Sequence, residues 1–254
     1  MKIVIIGTGN VATQLGLAFR KSKHHVIQVY GRNSSHVKTL SKKLNTALTS
    51  DLKKINPHAD VYIIAVTDAS IEEIIKDLPL KNQLIVHTSG SVPISVFKKK
   101  FVNYGSFYPA QTISKDIPVN FKTTVICIEA GNRASQIQLF KLAQSIGKQF
   151  ALINSEQRRV LHLAAVFANN FTNHLFHISD DILTKNGLFI KMLIPLINQT
   201  VANLKDKFPS EVQTGPAVRR DKETIDLHLK MLKKYPAYKK IYKDITESIQ
   251  KSKK

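Results

Sequence analysis

Lys2-Ile-Val-Ile-Ile6 runs without a break into Gly7-Thr-Gly9-Asn-Val-Ala12, and the reading of this stretch decides the fold. Five residues dominated by β-branched side chains predict a buried strand. The polar and apolar spacing from Asn10 to Lys21 predicts a helix, and a glycine-rich turn joins the two. In that context Gly-x-Gly-x-x-Ala is the signature of a turn that holds a pyrophosphate. Gly7 permits the tight bend, Gly9 removes a β-carbon so that backbone can approach the phosphates, and Ala12 lets the helix lie close to the strand. Gly7, Thr8, Gly9, Asn10, Val11 and Ala12 are therefore expected to bind a dinucleotide, with main-chain N–H groups at the helix start facing its charge.

Outward from this turn, the pattern of strand followed by helix repeats. Strands are expected at Ile3–Ile6, Val26–Tyr30, Val61–Val66, Leu84–His87, Gly105–Tyr108, Thr124–Ile128 and Phe150–Ile153. Helices are expected at 10–21, 36–44, 70–78 and 132–146, with Asn132 and Asp51 as N-caps. Such alternation is the mark of an α/β doubly wound, mostly parallel sheet with helices on both faces. After Ile153 the strand signal stops, and 155–185, 188–207, 222–234 and 238–250 read as helices, the first opened by Ser155. The expected organisation is a dinucleotide-binding domain over 1–153 and an all-α domain over 154–254. The long helix from Ser155 is apolar around much of its circumference, which calls for burial on several sides, in a bundle or at a subunit interface.

Composition narrows the function classes. The 254 residues are 43% hydrophobic and 22% charged, ordinary globular usage that excludes a disordered or collagen-like chain. The single cysteine, Cys127, sits in the apolar run Thr124-Val-Ile-Cys-Ile128 and reads as a core residue of a protein kept in a reducing, cytoplasmic compartment. The apolar run before Gly7 is too short for a signal peptide, and no stretch is long enough to span a membrane. The 38 Lys and Arg against 18 Asp and Glu give a net charge of +20. That excess is spread over both halves, including the terminal Lys251-Ser-Lys-Lys254, and no nucleic-acid motif accompanies it. Nucleic acid is therefore not the expected partner.

About twenty residues past the glycine turn, an NAD-binding protein would present a carboxylate to the adenosine ribose. Here the segment is Tyr30-Gly-Arg32-Asn33-Ser34, whose guanidinium, amide and hydroxyl suit a 2′-phosphate, so NADP is the expected cofactor. Ile64-Ala-Val66-Thr67-Asp68 and Val86-His-Thr-Ser89-Gly90 end central strands, where ligands of parallel sheets sit. Val66, Thr67 and Ser89 are expected beside the dinucleotide, with His87 and Thr88 close by. His87 reads equally as a structural and as a catalytic histidine.

With Tyr108-Pro-Ala-Gln-Thr112, the stretch from His162 to Asn170 and Gln213-Thr-Gly-Pro-Ala-Val-Arg219-Arg-Asp221 also in view, the chain resembles one family from end to end. It is similar to the Rossmann-like NADP oxidoreductases that carry an all-helical C-terminal domain of unknown function, relatives of pyrroline-5-carboxylate reductase, ketopantoate reductase and the deazaflavin-dependent NADP reductases. The resemblance implies an NADP-binding first domain, a helical domain like the C-terminal fold of 6-phosphogluconate dehydrogenase, and a homodimer built through those helices. It implies no substrate. The related β-hydroxyacid dehydrogenases use a Lys-x-x-x-Asn pair that falls here on Val166 and Asn170, so their lysine is missing. Tyr108 stands where many members have histidine, and Arg220 where glycine is usual.

For a carbonyl or imine substrate the protein must supply a proton, and His162, Tyr108 and Asn170 are the candidates, His162 being of the residue type that exchanges protons near neutral pH. His162 reads equally as a helix-packing residue, and Asn170 as a buried amide. Arg219 is the candidate for a substrate carboxylate or phosphate, with Asp221 as the cap of the helix that follows. The expected function is thus an NADP-dependent oxidoreductase of a small anionic carbonyl or imine compound, with a non-catalytic NADP-binding protein as the rival and a basic nucleic-acid-binding protein, which has only bulk charge behind it, as the third reading. His174, His177 and Asp181 share one helix side and could face a metal, but surface polarity explains them more simply and no metal is expected.

Overall fold

The computed structural model describes residues 1–252; Lys253 and Lys254, the end of the basic tail, lie outside the described residues. By its contacts the chain divides into two compact units, Met1–Asn170 and Phe171–Lys254.

The first unit alternates β1 (Lys2–Ile6), α1 (Asn10–Lys21), β2 (His25–Tyr30), α2 (Ser34–Leu44), β3 (Ala47–Thr49), β4 (Val61–Ile64), α3 (Ile71–Asp77), β5 (Leu84–His87), β6 (Tyr104–Pro109), β7 (Val125–Ala130), α4 (Arg133–Ile146), β8 (Gln149–Leu152) and α5 (Ser155–Ala165). The strands form one eight-stranded sheet in the order β3-β2-β1-β4-β5-β6-β7-β8. Every neighbouring pair is parallel except β6 and β7. This is the doubly wound architecture that the alternation predicts. β3 escapes the sequence reading because it is three residues long, two of them exposed.

Parity in β1 shows why both faces are covered. Ile3 and Ile5 join a core with Leu15 and Phe19 of α1, while Val4 and Ile6 join a second core with Tyr62, Ile74 and Phe97. Side chains alternate across a strand, so a strand apolar at every position must be buried on both sides. Leu15 and Phe19 are 0% exposed, and burial of each stabilises the fold by roughly 1.5–3 kcal/mol. Cys127, 1% exposed, is a core residue of β7.

The caps agree with the sequence at Asn132, which accepts from Ser135 N–H, and at Asp51, which accepts from Lys53 N–H. At α5 they differ. Asn154, not Ser155, is the N-cap, in a reciprocal capping box with Gln157. Ser155 is instead the first helical residue, and its hydroxyl is used in tertiary bonds described below.

The expected long helix from Ser155 is broken into α5, a π-helical turn at Val166–Phe171 and α6 (Thr172–Thr184). The unit boundary falls in that turn, later than the change of composition at Ile153, because α5 is bonded to the loops of the sheet. The second unit continues with a 3-10 turn at Ile190–Leu193 and α7 (Ile194–Asn203), where one helix was expected from Leu188. The short α8 (Pro216–Arg219) lies in what reads as a turn. It is followed by α9 (Lys222–Met231), a 3-10 turn at Leu232–Lys234 and α10 (Pro236–Ser252). Among the described residues no helix is long and apolar enough to cross a membrane.

Candidate functional site

A cleft of about 610 Å³ opens at the carboxyl ends of the parallel strands. Its floor is the glycine turn. Gly7 has φ +127°, and a β-carbon there would stand 2.1 Å from Ala65 O, so both the conformation and the space require glycine. A β-carbon at Gly9 would meet nothing within 4 Å and would project into open space. Helix α1 begins after Gly9 with no side-chain cap and no acid in its first turn, which leaves its leading N–H groups for an anion. The turn therefore fits a pyrophosphate. Thr8, Asn10 and Val11 line the cleft, while Ala12 does not and is buried against the strands. The Asn10 amide is engaged elsewhere, donating to Ile113 O at 2.9 Å. Gln14, one turn on, donates to Ser114 O and Ile117 O, so the loop after β6 is strapped onto α1.

Arg32 and Asn33 line the cleft beyond the end of β2. The Arg32 guanidinium donates to Ser70 Oγ at 3.1 Å and lies 3.4 Å from the Glu73 carboxylate. Asn33 Oδ1 caps α2 by accepting from His36 N–H at 3.0 Å, and Ser34, the first residue of α2, is outside the lining. No carboxylate stands at the end of β2 itself, and the first turn of α2 holds none.

Val66, Thr67, Thr88, Ser89 and Gly90 carry the lining across to Tyr108 and His162. In the sheet, β2 and β6 are separated by β1, β4 and β5, so Arg32 and Tyr108 mark opposite ends of the cleft. Tyr108 Oη and His162 Nδ1 are hydrogen-bonded at 3.1 Å. Burial pushes the Tyr108 hydroxyl pKa above its ordinary value, nearby Cys127 adds to the rise and Arg158 opposes it, so the hydroxyl stays protonated at neutral pH. His162 packs over Gly90, where a β-carbon would come within 2.7 Å of its ring. His87 is not at the cleft. It is 0% exposed, stacked on Phe97 at 5.5 Å, and its Nδ1 accepts from Ser89 N–H. Burial, with the Arg158 charge second, lowers its pKa to about 3, so it is a neutral structural histidine.

The sequence of BF3122 from Bacteroides fragilis, a protein assigned to the NADP oxidoreductases, is 36% identical to this chain, with 98% of each chain covered and a TM-score of 0.91. The chain belongs to the NADP oxidoreductase family. Residues 2–90 match the family described as NADP oxidoreductase coenzyme F420-dependent, and residues 124–249 match a domain of unknown function, DUF2520. The fold is shared with the imine reductase of Myxococcus stipitatus in complex with NADP+, at 16% identity over 99% and 94% of the two chains and a TM-score of 0.71. It is also shared with the 1-pyrroline-5-carboxylate reductase of Streptococcus pyogenes, at 15% identity over 99% and 98% and a TM-score of 0.65. Among curated proteins there is no match. The cofactor of this oxidoreductase is NADP.

The oxidoreductase holds its far loop with a group the sequence does not announce. Arg158 of α5 is 0% exposed; it donates to Ser89 O at 3.1 Å and Val92 O at 2.6 Å, and pairs with the Glu129 carboxylate at the end of β7. Ser155 Oγ donates to the same carboxylate at 2.7 Å and accepts from Ile94 N–H. Neither Arg158 nor Glu129 carries a motif; only their partners, distant in sequence, reveal them. Asn170 is exposed and does not line the cleft. Arg219, in the second unit, is 65% exposed and 3.8 Å from Asp221, which caps α9 as expected. The Asp181 carboxylate is held by Lys185 and Tyr238, and among the described residues no group of three His, Cys, Asp or Glu side chains is placed to hold a metal.

Proposed function

We propose that this oxidoreductase reduces a small carbonyl or imine compound that carries an anionic group, with Tyr108 and His162 delivering the proton. The observation that carries this reading is their 3.1 Å hydrogen bond at the end of the cleft opposite Arg32. Bound NADPH supplies the hydride. Gly7 to Val11 and the start of α1 hold the pyrophosphate, Arg32 with Asn33 takes the 2′-phosphate, and Val66, Thr67 and Ser89 flank the dinucleotide. Tyr108, kept as a neutral O–H by burial, donates, and His162 replenishes it through Nδ1. Arg219 is the candidate anion ligand of the helical unit; its planar fork suits a carboxylate or phosphate, and Asp221 occupies it only loosely.

The working particle in this proposal is a cytoplasmic homodimer formed through the helical unit. In support, Phe189, Met192, Leu196, Val201 and Phe208 are 62–74% exposed, and a second copy would cover them symmetrically.

The test is calorimetric titration with NADPH and NADH, since the chain holds no tryptophan, followed by turnover of NADPH against a panel of keto acids and cyclic imino acids. Preference for NADPH and oxidation of it by one class is the expected result. Binding without turnover of any member would favour the non-catalytic reading, for which the missing lysine at Val166 speaks.

A further inference from the structure

Among the described residues Arg32 is the one arginine or lysine lining the cleft, and its guanidinium is already engaged. Its Nη2 donates to Ser70 Oγ at 3.1 Å, and Ser70, 8% exposed, is itself bonded to Thr67 Oγ1 at 3.1 Å. One edge of the guanidinium is therefore fixed to a neutral, nearly buried hydroxyl. Its Nη1 instead faces Glu73 Oε2 at 3.4 Å, an ion pair whose two side chains are 64% and 62% exposed. An exposed pair at that distance is weak and exchangeable.

We propose that Glu73 is a specificity-determining residue that competes with the 2′-phosphate of NADP for Arg32 and so moderates both the affinity for NADP and its preference over NAD. This rests on the reading of Arg32 as the 2′-phosphate ligand. A phosphate offers the guanidinium two charge-assisted bonds and displaces the single long contact to Glu73. Glu73 is fixed in the first turn of α3, so after exchange its carboxylate stays beside the phosphate and repels it. NAD carries a hydroxyl in place of that phosphate; it leaves the ion pair in place and is insensitive to Glu73. Ser70 keeps Arg32 oriented through the exchange, so the guanidinium does not depend on Glu73 for its position.

The experiment is calorimetric titration of NADPH and NADH into the full-length protein, its Glu73→Gln, Glu72→Gln and Arg32→Ala variants, and the Arg32→Ala/Glu73→Gln double variant. Glu73→Gln is expected to tighten NADPH roughly three- to tenfold and to change NADH less than twofold. Glu72→Gln, which alters the net charge equally from the neighbouring exposed position, is expected to change NADPH less than twofold. In the double variant the gain should vanish. An unchanged or weakened NADPH affinity in Glu73→Gln, or an equal gain in Glu72→Gln, overturns the inference while leaving Arg32 as the phosphate ligand. An Arg32→Ala variant that binds NADPH as tightly as the parent protein overturns the phosphate reading, and the inference with it.

Discussion

The Tyr108 hydroxyl and Nδ1 of His162 meet at 3.1 Å, joining strand β6 to helix α5 across the end of the cleft. Two groups that act as one proton-delivering unit should show non-additive losses. Tyr108→Phe and His162→Ala are each expected to lower turnover about 100- to 1000-fold, with NADPH affinity within twofold, and the double variant should be little worse than either single. Steady-state rates at saturating NADPH and calorimetry check this together. Because burial raises the Tyr108 pKa above 10, the hydroxyl form survives to higher pH than a free tyrosine, and any alkaline fall in rate caused by its ionisation should lie above pH 10. Fully additive losses would mean that the two residues work independently.

Gly90 gives a steric version of the same test. Its φ is ordinary, so alanine is allowed by the backbone, but the added β-carbon would lie 2.7–2.9 Å from three atoms of His162. The imidazole must move. Gly90→Ala is expected to lower turnover at least tenfold and to cost about 1–3 kcal/mol in stability, with NADPH affinity kept. Parent-like turnover would show that the position of His162 is not critical.

Arg158 carries the largest expected stability effect. Its guanidinium bonds two loop carbonyls and the Glu129 carboxylate from a site with 0% exposure, and the Glu129 side chain is only 16% exposed. Removing one partner of a buried pair leaves the other uncompensated, so Arg158→Met should cost about 3–5 kcal/mol in urea denaturation. Adding Glu129→Gln should recover part of that loss. A double variant as unstable as the single would mean that the two carbonyl bonds, and not the ion pair, dominate.

What was legible in the sequence was what is local. The stretch from Lys2 to Ala12 combines strand, bend and helix start in eleven residues, and alternation from Val26 onward repeats it, so sheet, helices and glycine turn follow from short-range patterns. The place of Arg32 in the cleft lining was readable because it depends on a fixed distance past the turn. The rest depends on partners far along the chain. Nothing near Arg158 says that it is buried, since its partners are Ser89, Val92 and Glu129. Asn10 reads as a dinucleotide-binding residue until Ile113 is placed beside its amide. The π-turn at Val166–Phe171 has no pattern of its own, and it interrupts the phase that would relate His162 to Asn170.

His87 supplies the pH test. Its pKa is about 3 in the folded protein against 6.5 when free, so between those values the unfolded chain binds a proton that the folded chain does not. Stability therefore rises with pH through this window: the contribution is fully present above pH 6.5 and is lost as pH falls toward 3. At pH 5 the loss is roughly 2 kcal/mol relative to pH 7, from 1.36 kcal/mol per unit. His87→Gln removes the titration and keeps a polar side chain, so its stability should change less between pH 7 and pH 5, even though the lost stacking on Phe97 lowers it at both. Urea midpoints of parent and variant at the two pH values decide it. Equal pH slopes would mean that His87 takes up its proton in the folded protein as readily as in the unfolded chain.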